Sequence, residues 1–385
     1  DAIARFARYV AAAKHGPGMD WRREEMVAGN LEQEAVERLQ RAIRNQQKAV
    51  ANKGDFDRMV RSGLPLFGKN GALMRMLMEN RDGKANVQSL EAGITAAHNA
   101  SLRNLTSLFH DSGKFFGLFE NREFTADLVR EIFSPGSTAN AKAAEGAKIW
   151  GKVSDDLLSQ LNAAGRPVRE LKDWAIPVSH DSRAIANVGA DKWVADVLPL
   201  LNRDRYTNPD GTRMTDDQMS GALRQAFETI SSEGLIGTEP TGIKFNFPDI
   251  AARRAKYERF LHFKNGDAWL KYHDDYASKT VWETMLGHVD YTSKQIALME
   301  KFGPDAKSNF KQLVERAVDL AARSQPGNAE QIKADADGLL RRMDYLAGDL
   351  VNPSAKNAVN RGFSMFRNLV TSAQLGGSVI TALSD

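Results

Sequence analysis

His110 and Asp111 stand side by side, the pair that metal-assisted hydrolysis of phosphate esters uses to hold its ions. That chemistry needs a further His upstream and a further Asp downstream, converging on the same metal. His98 stands twelve residues earlier, which on a continuous helix leaves it about 120° around the axis from His110. His180-Asp181 follows Pro177 and reads as a helix start, with Asp181 as the cap and His180 packed or hydrogen-bonded. His262, His273, His288 and Asp290 carry the imidazole and carboxylate ligands that zinc accepts. No two of those imidazoles have the i, i+4 spacing that sets a pair of ligands on one helix face. Asp274-Asp275 and Asp216-Asp217 fall at helix ends or on polar faces, where solvation accounts for them. Glu233, before Gly234, lacks the second positioned carboxylate of a glycoside hydrolase. There is no phosphate-cradling Gly loop, nucleophile elbow or kinase signature. The sequence therefore assigns no catalytic residue, no cofactor-binding residue and no metal ligand. A hydrolase remains the alternative reading: a metal-dependent phosphohydrolase built on His110-Asp111 or on the His262, His273 and His288 set, or a peptidoglycan-degrading module.

The elements that would position these groups are helices. Apolar residues recur at helical spacing nearly throughout, and alternating runs are scarce. The expected fold is mainly α, an irregular multi-helix bundle with long amphipathic helices and at most a minor β excursion. The sharpest signals lie in 254–310. Asn265-Gly266 is a turn after which Asp267 is expected to cap a helix presenting Trp269, Leu270, His273 and Tyr276. Thr280 and Glu283 form a capping box ahead of Val281, Met285, Val289, Ile296 and Met299. Gly303-Pro304 ends that run, and Asp305 restarts a helix carrying Phe310, Leu313, Val314, Ala317 and Leu320. Ala35, Leu39, Ile43 and Val50 mark a long helix whose apolar stripe is too thin for a buried element, and it reads as a solvated rod or a coiled-coil partner. Thr215 and Gln218 form a second capping box, and Ile243, Phe245 and Phe247 are the best strand candidate. Phe115, Phe116, Leu118 and Phe119 are an aromatic cluster that reads as core. Composition shifts near Gly165 to Pro177 and again at Asn352-Pro353. These shifts divide the chain into an N-terminal helical region (1–170), a central helical domain (171–350) and a C-terminal apolar helix (351–385). In that last helix Ser372, Ala373, Gly376, Gly377 and Ser378 permit close approach of another helix, in water or in a membrane.

The 385 residues include 52 basic and 49 acidic side chains, a net charge of +3. That balance argues against a dedicated nucleic-acid binder, which concentrates cationic charge on one face. A local basic set remains, Arg253, Arg254, Lys256, Arg341 and Arg342, as a candidate contact with DNA. Cysteine is absent, so disulfides and thiolate metal sites are excluded. No apolar run reaches the roughly 18 residues of a membrane span, and no signal peptide is recognisable. Asp1 leads directly into a helix and Asp385 follows an apolar one, so the chain is expected to be an ordered piece of a larger polypeptide.

Four strings carry a resemblance: IPVSHDSRAI with Trp193 downstream, RFLHFKNGDAWLKYHDDY, HVDYTSKQIALMEKFGPDAKSNF, and FRNLVTSAQLGGSVITALSD. In this order, over about residues 174–385, the chain resembles the large internal virion proteins of tailed bacteriophages, also described as ejection or pilot proteins. The resemblance implies a mostly helical protein, packaged inside the capsid, that partly unfolds to leave it with the genome. It then implies reassembly in the host periplasm and inner membrane as part of a conduit for DNA. The implied partners are other ejection proteins and further copies of itself, with contact to the inner membrane and transient contact to DNA. Such proteins often carry a lytic transglycosylase module, and some large relatives carry an RNA polymerase. Neither catalytic motif stands in these residues, so no activity, cofactor or site residue is carried over.

Overall fold

The computed structural model describes residues 21–78, 88–110, 121–165, 176–206, 208, 212–232, 260–325 and 327–348, with side chains from 36 onward in the first helix and through 101 in the third. The fold is mainly α, with twelve helices among the described residues. The chain divides into two compact units. The first comprises Asp1–Asn99, Leu158–Arg169 and Thr292–Leu350; the second comprises Ala100–Leu157, Glu170–Tyr291 and Val351–Asp385. Both are assembled from separated stretches, whereas the composition shifts at 170 and 350 follow chain order.

In the first unit, α1 (Trp21–Arg61) precedes α2 (Ala72–Leu77), the start of α3 (Leu90–His110), the end of α10 (Val281–Phe302), α11 (Ala306–Ser324) and α12 (Ala329–Ala347). Its core joins Phe56 and Met59 of α1 to Leu73, Met76 and Leu77 of α2, Phe302 of α10, Phe310 and Val314 of α11, and Leu339 and Met343 of α12. The Met-rich helix thus fills a dry gap, the use to which flexible thioethers are suited. The α10–α11 corner is set by Gly303 at φ 93°, where an added Cβ would meet Asn45 Oδ1 and Lys48 Cβ at 3.0 Å. Asp305 heads α11 without a side-chain cap bond, because its carboxylate pairs with Arg41 at 2.8 Å. Ala321 is buried on α11, and Leu320 only half so.

In the second unit, α4 (Arg122–Phe133) is capped by Asn121 and followed by the start of α5 (Ala141–Ala163). Two short helices, α6 (Ser182–Val188) and α7 (Ala190–Val197), pack on α8 (Asp216–Ser231), which opens with the expected Thr215–Gln218 capping box. The β content among the described residues is slight: Leu201 bridges Phe263, and Asn202 N donates to His262 O at 2.7 Å. Helix α9 (Gly266–Tyr276) lies against α4. Its cap is Asn265, not Asp267: the Asn265 carboxamide oxygen accepts from Ala268 N at 2.9 Å. The helix therefore begins one residue before the expected cap. Gly266 starts it, at a point where a Cβ would meet Arg130 Cα at 2.9 Å. Asp267 is left in the first turn and pairs with Arg130 instead. The second capping box is present as expected, with Glu283 N donating to Thr280 Oγ1 and Thr280 N to the Glu283 carboxylate. The aromatic cluster at 115–119, the strand candidate at 243–247 and the C-terminal apolar helix lie outside the described residues.

Candidate functional site

The histidines considered for chemistry sit in separate surroundings, each against its own aromatic ring. His262 meets the Tyr206 ring edge-on with centroids 5.8 Å apart. His273 lies nearly flat on Trp269 at 4.7 Å, one helical turn away on α9. His288 on α10 meets the edge of Trp150 on α5 at 6.2 Å. Among the described residues no three His, Asp or Glu side chains gather closely enough to hold a metal ion. The side chain of His110, and Asp111 with it, fall outside the described residues, as do Glu233, Arg253, Arg254 and Lys256.

His180 is half-buried and faces α9. Asp181 caps α6 as the sequence indicates, accepting from Arg183 N and Ala184 N, and this fixes the segment that carries His180. Asp181 N also donates to Tyr276 O at 2.7 Å, tying the same segment to the end of α9. His180 Nδ1 shares a 2.7 Å hydrogen bond with the Tyr272 hydroxyl. Burial pushes the imidazole down to about 4, and burial likewise raises the Tyr272 phenol, so both stay neutral. Tyr272 is fully enclosed by Trp193, Phe263 and Tyr276, all within aromatic contact. One turn on, the Tyr276 hydroxyl donates to Asp196 at 2.6 Å. Asp196 is held below the usual carboxylate range, by its bond from Lys192 first and by Tyr276 second. The group joins α6, α7 and α9 through the His180–Tyr272 and Tyr276–Asp196 hydrogen bonds and through ring edges.

Two surface hollows carry polar linings. One, of about 490 Å³, lies between α4 and the start of α9 and is lined by Asp127, Arg130, Thr138 and Asp267 among others. Its cation is neutralised from both sides: Arg130 reaches Asp267 at 2.8 Å and Asp127 at 3.1 Å. Below it the Glu131 carboxylate accepts from Gly136 N at 2.7 Å and from Thr138 N and Oγ1. These bonds lower its pKa and staple the turn after α4. The second hollow, of about 340 Å³, runs beside α1 and is lined by Glu37, Gln40, Arg41, Ile43, Arg44 and Gln47, with Asn162 and Gly165 opposite.

Some residues that organise these regions carry no sequence signal of their own. Tyr206 donates to Phe260 O and accepts from His262 N at 2.9 Å, clamping two distant loops, and nothing in its neighbours announces that. Tyr272 sits between the expected inward residues Trp269 and Tyr276 at helical spacing, and that spacing is the signal that places it inside. Arg342 lies over the Tyr345 ring at 5.7 Å and reaches Met78. No helix among the described residues is long and apolar enough to cross a membrane. Comparison with protein-family models, with curated proteins and with solved structures finds no match to this chain.

Proposed function

We propose that this chain is a structural segment of a bacteriophage ejection protein, carried inside the virion and delivered into the host envelope as part of a conduit for the genome. The strings that resemble internal virion proteins supply the context. The observation that carries a structural role is the placement of the chemically capable side chains. His180, His262, His273 and His288 each pack on a different aromatic ring, and among the described residues no three His, Asp or Glu side chains gather as a metal site would require. The quoted strings also contribute Trp269, Tyr272, Ile296, Phe302 and Phe310, all buried. A protein of this kind works by assembly with copies of itself and with other ejected proteins, and by contact with the inner membrane and with passing DNA.

The test is quantitative mass spectrometry of purified virions before and after triggered genome release. The protein is expected at several copies in full particles and depleted from emptied ones. Retention in emptied shells, or absence from full particles, overturns the reading. Clearing of peptidoglycan by the purified chain, abolished by His110→Ala, would turn the assignment towards the hydrolase instead.

A further inference from the structure

Helix α1 is amphipathic the wrong way round for an element of a monomer. The side that meets its own unit is polar over four turns. Arg41 binds Pro304 O and Asp305, Asn45 binds Asp305 N and Asn309, Lys48 reaches Glu300 O, and Asn52 donates to Lys301 O. At 100° per residue these four fall within about 60° of one another, and Val36, Leu39, Ile43 and Val50 project from about the opposite side. Those four are 36%, 51%, 50% and 59% exposed, and they supply all but one of the large apolar side chains that stand exposed among the described residues. Buried apolar area drives helix docking, so a helix that turns polar groups inward and an aliphatic stripe outward has a second contact to make.

The spacing and the charges identify that contact. Val36, Ile43 and Val50 recur every seven residues, the spacing of the a positions of a helix pair, with Leu39 at the d position between the first two and Gln46 at the next. The positions flanking the stripe are uncharged: Gln40 and Gln47 on one side, Ala42 and Ala49 on the other. A second copy therefore meets no like charge along the seam, and the alanines permit close approach. Charge is segregated through the middle of the helix, between Arg22 and Arg23 at its start and Asp55 and Asp57 near its end. From Glu24 to Glu37 all five charged residues are acidic, and from Arg38 to Lys53 all five are basic. An antiparallel pair lays the acidic block of each copy along the basic side of the other, whereas a parallel pair sets like beside like. The hollow flanked by Ile43, Gln47, Asn162 and Gly165 leaves room at the edge of this seam.

We propose that the exposed face of α1 is a self-association surface, on which a second copy of this chain docks its own α1 antiparallel, Leu39 of one copy against Ile43 of the other. The inference deepens the assembly reading above and rests on it for its biological meaning, while its physical basis is the helix alone. The aliphatic stripe offers about 350 Å², within the range of the largest patch a monomer exposes. That is less than half of the roughly 800 Å² per partner of a standard interface. The pair is accordingly reversible.

Sedimentation equilibrium of the whole chain over about 1–100 μM is expected to show a monomer–dimer equilibrium within that range. Leu39→Glu combined with Ile43→Glu is expected to weaken the dimer at least about 100-fold, with circular dichroism and thermal midpoint unchanged because both side chains are half exposed. The absence of cysteine allows an independent readout: Ala42→Cys beside the seam is expected to give a disulfide-linked dimer, and exposed Ala51→Cys, off the seam, is not. Spin labels at Lys53→Cys are expected about 35 Å apart in the antiparallel pair, against about 10 Å in a parallel one. Monomer at every concentration, equal dimerisation of the Glu variant, or a short label distance overturns the proposal. So does stripe-dependent binding to phosphatidylglycerol vesicles by a protein that stays monomeric. Failure of dimerisation leaves the virion-release result standing, and failure of that result leaves dimerisation standing.

Discussion

Asn265 and Asp267 stand two residues apart at the start of α9, and what separates them is which backbone N–H each can reach. Asn265, in extended conformation, accepts from Ala268 N, whereas Asp267 is already in the first turn and turns outward to Arg130. Asn265→Ala is expected to cost about 1 kcal/mol, as cap removal does. Asp267→Ala removes an exposed ion pair and is expected to cost under about 0.5 kcal/mol. Chemical denaturation of the two variants measures the difference, and equal losses would refute the cap assignment. His180 makes a second prediction, in pH. Its folded value of about 4 lies below the ordinary 6.5, so the unfolded chain takes up a proton that the folded chain refuses. The contribution to stability is complete above pH 6.5 and is lost as pH falls towards 4, by about 3 kcal/mol. Burial lowers His273 too, adding in the same direction. Asp196 is likewise depressed, but its loss begins below its ordinary 3.8, outside most of this window. Urea midpoints at pH 7 and 4.5 are expected to differ clearly less in His180→Gln, which can still bond Tyr272, than in the unmodified chain.

Among the elements, the junction of α1 with the α10–α11 corner depends on amides. Asn309, buried within α11, donates from its side-chain nitrogen to Asn45 Oδ1 at 2.8 Å and to Phe302 O at 2.6 Å, the carbonyl that α10 leaves open at its end. Arg316 and Asp57 add a two-bond guanidinium–carboxylate pair at 3.0 Å between α11 and the C-terminal end of α1. Asn309→Ala removes the side-chain donor to Phe302 O in a buried position, while Asn45 Oδ1 keeps Asp305 N as a partner, and it is expected to cost about 1–3 kcal/mol in urea denaturation. Loss of less than about 0.5 kcal/mol would mean that the amide bonds are replaced by solvent. The same junction explains why α1 reads as too thin in apolar residues for a core helix. Its dry contact is confined to its last turns, at Phe56 and Met59, and its preceding four turns dock through polar atoms.

At the scale of the whole molecule, the described residues form two compact units, each closed round its own set of aromatic and aliphatic side chains. In the first, Phe302 and Phe310 meet edge-on at 5.3 Å across the α10–α11 corner. In the second, Trp193, Tyr272 and Tyr276 link three helices. Among the described residues the large exposed aliphatic side chains all stand on α1, the placement from which self-association is proposed. The copy number in virions and the monomer–dimer equilibrium are the measurements that bear on this scale.

What the sequence determined by itself is local. The capping boxes at Thr215 and Thr280, the cap at Asp181, the stop at Gly303-Pro304 and the inward residues Met285, Ile296 and Phe310 follow from hydrogen-bond reach and helical period, which act within a few residues. What the tertiary structure decided involves partners far along the chain. Asp267, free of a capping role, pairs with Arg130 of α4, and Gly266 passes close to the Arg130 backbone. Each imidazole has its own aromatic neighbour, Tyr272, Tyr206, Trp269 and Trp150 for His180, His262, His273 and His288, and for all but His273 that neighbour comes from a distant stretch of chain. The face of α1 that its own chain covers is the polar one, because Asn309 and the open carbonyls at the end of α10 were the groups in need of partners. Spacing along a chain constrains the turn on which a residue lies; it carries no record of what another segment will bring against it.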